Sequence, residues 1–95
     1  MGQPERNESI GPQPSSGELQ ELEEERRKLR RLQIMMSMVM SVISQDADLS
    51  VEEASELAAN AKRAALAMFP DKEFAYDILY KPRLQRLMAE RYRLQ

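Results

Sequence analysis

The chain has 95 residues, 14 of them Lys or Arg against 16 Asp or Glu, for a formal net charge of −2, with no Cys, His or Trp. A chain this short holds one small domain, and these absences exclude disulfide scaffolds, thiolate or imidazole metal sites and every nucleophile–histidine arrangement. Hydrophobic residues make up 42% and charged residues 32%, a mixture suited to helices in water; the near-balanced total gives no argument for nucleic acid or an anionic membrane.

Residues 1–17 hold three of the five Pro and all three Gly, with Ile10 as the one large apolar side chain after Met1. Ordering such a segment loses about 1–2 kcal/mol per residue in backbone entropy, and it has little apolar surface to bury in return. A disordered tail is the expectation. It lacks the basic-then-apolar build of a secretory signal, and Met1-Gly2 is followed by Arg6 where myristoylation wants Ser or Thr. The glycosylation triplet Asn7-Glu8-Ser9 therefore reads as chance, and a cytoplasmic location is expected.

The first helix is expected over about 18–44, with Ser15 and Glu18 spaced as a capping box at its start. No Pro or Gly interrupts it, and Glu23/Arg27 and Glu24/Lys28 are i,i+4 pairs in the favourable order. Its length is about 40 Å, more than one small core can cover. Leu22, Leu29, Met36 and Ile43 recur every seven residues, with Leu32 and Val39 completing an a/d seam that Glu25 spoils. A second row, Met35, Met38 and Val42, makes the stretch from Ile34 to Ile43 apolar on nearly every side. Helices two to four could cover it, since Met is ordinary core filler. The expectation preferred here is self-pairing: Leu22, Leu29, Leu32, Met36, Val39 and Ile43 form an oligomer interface. The same stretch is about half the ~20 residues a membrane span needs, so no membrane is expected.

Asp46–Ser50 is a turn, and Ser50/Glu53 is a second capping box with Leu49 at the staple position. Helix two, about 50–69, has one stripe of Val51, Ala54, Leu57, Ala58, Ala61, Ala65 and Met68; so much Ala implies close approach by a neighbour. Pro70 ends it, and Asp71 is expected to cap a helix over 71–80 that carries Phe74, Ile78 and Leu79 inward. Pro82 starts helix four, about 82–94, with Tyr80-Lys81 as the joint and Leu84, Leu87, Met88 and Tyr92 on one face.

Charge is segregated along the chain. Residues 18–31 carry five Glu followed by five Lys or Arg, residues 46–60 carry five acids and no base, and residues 81–95 carry five bases and one acid. Such polarity favours antiparallel or intermolecular pairing of unlike segments. The clusters at 26–31 and 81–93 support an alternative reading, a small nucleic-acid-binding regulator. Each has a plainer reading as a solvated face, the second pairing with the acids at 46–56. Tyr76, Tyr80, Arg83 and Arg86 are residue types that anchor interfaces and form a candidate partner surface.

No residue set carries catalysis. Glu21/Glu24 and Glu53/Glu56 lack the Glu-x-x-His partners of di-iron sites. The sequence thus leads to an all-α domain, a three to four helix bundle (residues 18–95) behind a disordered tail, dimeric through its first helix. Its expected role is a non-enzymatic protein–protein interaction or adaptor module with no cofactor and no metal. Its expected partners are a second copy and another helical protein.

Overall fold

The computed structural model describes residues 15–93, and the described chain is helical throughout, with no strands. The first helix, α1 (Ser16–Gln45), opens on the capping box. Glu18 N donates to Ser15 Oγ at 3.2 Å, and Ser15 N donates to Glu18 Oε1 at 2.8 Å. Both bonds satisfy amides that have no partner inside the helix. Ser16 and Gly17 therefore belong to the helix rather than to the expected tail, whose residues 1–14 lie outside the described residues, as do Asn7–Ser9 and Arg6.

Asp46 Oδ1 accepts from Asp48 N at 3.0 Å in the turn that follows. The second capping box then starts α2 (Val51–Met68): Glu53 N donates to Ser50 Oγ at 3.0 Å and Ser50 N to Glu53 Oε1 at 2.9 Å. Leu49, at the staple position, is half-buried against the core.

After Pro70, α3 spans Glu73–Leu79 and α4 spans Lys81–Tyr92, with Tyr80 serving as the last cap of one and the first of the other. Pro82 lies in the first turn of α4, where its missing N–H has no intrahelical duty. Asp71 does not cap α3. It lies in the turn Lys72 N→Phe69 O, and Lys72 takes the cap position with no side-chain bond. At the far end Arg93 closes α4 in the left-handed region (φ 55°), and Leu94 lies outside the described residues.

The core is built from Leu32, Met36, Val39 and Ile43 of α1, Ala54, Ala61 and Ala65 of α2, Tyr76 of α3 and Leu84 of α4. The three Ala side chains are short, so α2 and α1 approach closely. α4 packs on both α1 and α2, and α3 packs on α2 and α4.

Two expectations are corrected by this packing. The first concerns the a/d seam. Leu32, Met36, Val39 and Ile43 are spent inside the chain, because the alanine stripe of α2 and Leu84 of α4 cover them. Leu22 and Leu29 of the same seam remain exposed. The opposite side of α1 is open too, since Ile34, Met38 and Val42 are all exposed. The second concerns α3, whose Phe74, Ile78 and Leu79 point away from the core while Tyr76 is only 5% exposed. In that orientation Lys62 of α2 pairs with α3, its Nζ lying 3.1 Å from Glu73 Oε2 and 3.0 Å from Asp77 Oδ1. Phe74 and Ile78, each one residue after an acid, stand about 100° around the helix from the Glu73/Asp77 edge.

Candidate functional site

Where α1 outruns α2, the seam of α1 continues past the covered core as an apolar wall. Leu32 and Met36 are buried; Leu29 and Leu22, one and two heptad steps before Met36, are 48% and 54% exposed. Facing that wall are Leu66 and Phe69, with Ala75 and the half-exposed Leu79 of α3 and its cap Tyr80. Between them lies a cleft of about 260 Å³, with Glu25 at its mouth on α1 and Lys72 at its mouth opposite. Lys28 lies over the Phe69 ring, 5.9 Å from its centroid, which leaves its charge at the cleft's rim. The pairs Glu23/Arg27 and Glu24/Lys28 do not close into ion pairs; the ion pairs among the described residues are those of Lys62.

Phe74, at 80% exposure, and Ile78 extend the apolar surface from the cleft over the outer face of α3. A large exposed aromatic beside exposed Leu and Ile is a marker of contact surface rather than of ordinary surface. The sequence signal was available: α3 has only two turns, so Tyr76 and the Phe74/Ile78 pair cannot both face inward. Deciding between them required knowing that Lys62 stands opposite Glu73 and Asp77.

The candidate partner surface Tyr76, Tyr80, Arg83 and Arg86 does not survive as a unit. Tyr76 is buried, its ring 5.6 Å from that of Tyr80. Burial pushes the Tyr76 hydroxyl above the ordinary tyrosine pKa, against a smaller opposing pull from the Lys62 charge. Arg83 lies over the Tyr80 ring at 5.9 Å, while Arg83 and Arg86 border a separate shallow hollow with Ser37, Ser41 and Glu90.

Arg91 of the C-terminal cluster is put to a different use from the one expected. It meets main-chain carbonyls rather than the acids at 46–56, donating to Ile43 O and to Asp46 O, both at 2.7 Å. Tyr92 Oη donates to Leu49 O at 2.8 Å. α1 has no base in its own last turn, and α4 supplies one.

A second, more open groove of about 610 Å³ runs between α2 and α4, past Ala58, Ala59, Lys62, Gln85 and Met88. Among the described residues no group of three or more acidic side chains is placed to hold a metal, and no helix is long and apolar enough to cross a membrane. No protein-family model, curated protein or solved structure matches this chain.

Proposed function

We propose that this protein is a non-enzymatic helical interaction module that works as a homo-oligomer, with the cleft between α1, α2 and α3 as its docking surface. The observation that carries the reading is the cleft itself, lined by the exposed Leu29 and Leu79, with Leu22 one heptad before Leu29 and with Phe74 and Ile78 exposed on the same short helix as Leu79. An amphipathic helix laid there would find apolar walls and a rim carrying Lys28 and Lys72. A bundle completed in this way also explains why so short a chain can hold its fold, since domains of this size bury little surface alone.

The strength follows from exposure. Leu22, Leu29 and Leu79 are each about half exposed, so covering each contributes about 1 kcal/mol, half the ~1.5–3 kcal/mol of a fully transferred side chain. A few such side chains from each copy sum to an amount comparable with the lower range of association costs, about 4–15 kcal/mol. Association is therefore concentration-dependent rather than permanent. In sedimentation over a wide concentration range, the unaltered chain is expected to move from monomer to oligomer. Leu29→Asp with Leu79→Asp is expected to keep helical circular dichroism and remain monomeric. An oligomer unchanged by both substitutions would refute the cleft as its seat.

The nucleic-acid alternative has less support. At about 100° per residue, Arg26, Arg27, Lys28, Arg30 and Arg31 spread over roughly 200° of α1, a broad polar face rather than one narrow strip, and five Glu precede them on the same helix. In the C-terminal cluster Arg91 is engaged with carbonyls.

A further inference from the structure

We infer that the occupant of the cleft is the N-terminal arm of α1 from a second copy, laid antiparallel so that the two arms cross near Glu25 and Arg26 and each fills the other's cleft. This rests on the homo-oligomeric reading above and specifies its partner, orientation and register.

The first support is the arm itself. Before Leu32, the first buried residue of α1, the helix runs from Ser16 with only Lys28 half-buried. That is roughly 20 Å of helix without a covering neighbour, and isolated helices of about 12–15 residues are marginal in water. Leu19, Leu22 and Leu29 are nevertheless all exposed along it. An arm that is apolar on one side and unsupported by its own chain is stabilised when something covers that side.

The second support is charge. Five Glu at 18–25 precede five Lys or Arg at 26–31 on this arm. Parallel copies would set acid against acid and base against base. Antiparallel copies crossing between residues 25 and 26 set each acidic half against the other's basic half, and Glu25 of each beside Arg26 of the other. Like charges in apposition repel and unlike charges fix register.

The third support is that the apolar positions obey the same register without adjustment. Crossing there brings Leu22 of each copy to the level of Leu29 of the other, and Leu19 to the level of Leu32, at the back of the cleft beside Leu79. The acidic arm then enters past Lys28 and Lys72 at the rim. The arrangement is its own mirror under a twofold axis, so both clefts are filled by one contact and the assembly closes as a dimer.

The chain contains no Cys, so single cysteines report unambiguously in the full-length protein. Under mild oxidation, Glu25→Cys is expected to cross-link to its own copy. Leu22→Cys alone and Leu29→Cys alone are expected to cross-link at least tenfold less than an equimolar mixture of the two, where the disulfide forms between unlike chains. Equal cross-linking of Leu22→Cys with itself would overturn the antiparallel register in favour of a parallel one. A dimer by light scattering with no cross-link at any of these positions would overturn the inference alone and move the contact to the outer row Ile34, Met38 and Val42. A monomer at every concentration would overturn the homo-oligomeric reading with it.

Discussion

Replacing Arg91 by Ala should unfasten the end of α1 from α4. Its guanidinium donates to Ile43 O and Asp46 O, both at 2.7 Å, and its carbon lies 4.9 Å from the Tyr92 ring centroid. The first bond is partly buried and the second is exposed. A hydrogen bond from a charged donor contributes about 1.5–3 kcal/mol when shielded and less in water. The favourable placement of a cation at a helix C-terminus adds about 0.3–1 kcal/mol. Together they give a loss of roughly 2–3 kcal/mol, a large share of the ~5–15 kcal/mol of an ordinary small domain. Thermal melting should fall by about 10–20 °C, and the urea midpoint should fall with little change in slope. Arg91→Lys keeps the charge but not the two-pronged donor, so it should lose about half as much. If both variants unfold within ~0.5 kcal/mol of the parent, the fastening of α4 to α1 through these carbonyls is not what holds that end together.

Two further outcomes are expected. Met36→Ala, at a core position only 1% exposed, should destabilise by about 2–5 kcal/mol in denaturant titration, whereas Phe74→Ser on the open face should stay within ~0.5 kcal/mol. On the alkaline side, the pairing of Lys62 with Asp77 and then Glu73 raises its pKa, and burial raises that of Tyr76. Both groups then hold protons in the folded chain that the unfolded chain has already released. Stability is complete below their unfolded values of 10.5 and 10.0 and declines as pH rises through the folded ones. Denaturation midpoints at pH 8 and above pH 10 should show the decline, and Lys62→Gln with Tyr76→Phe should flatten it.

The features legible in the sequence are those whose physics is local. Ser15/Glu18 and Ser50/Glu53 close as capping boxes because both partners sit within one turn, and Tyr80 becomes a joint because Pro82 lies in the first turn of α4. The alanine stripe of α2 packs inward because its period is a property of one helix. What escaped the sequence are choices made between helices. The apolar girdle of α1 offers two opposite sides, and which one α2 and α4 cover depends on a turn at 46–50 and on Arg91 reaching back to it from α4. α3 has two faces rich enough to be buried, and the one carrying Tyr76 goes inward beside the ion pairs of Lys62 on another helix.

That selection has a functional consequence. Glu73 and Asp77 pair with Lys62 at the surface between α2 and α3, and Phe74, Ile78 and Leu79 remain outside. Exposing three large apolar side chains on a seven-residue helix lowers the solubility of a lone subunit, a cost that the proposed partner surface would offset. Lys62→Met therefore tests the link between the two: it should free α3 to rotate, bury Phe74 and weaken association in sedimentation. Association left at parental strength would show that the ion pairs do not set the proposed docking face.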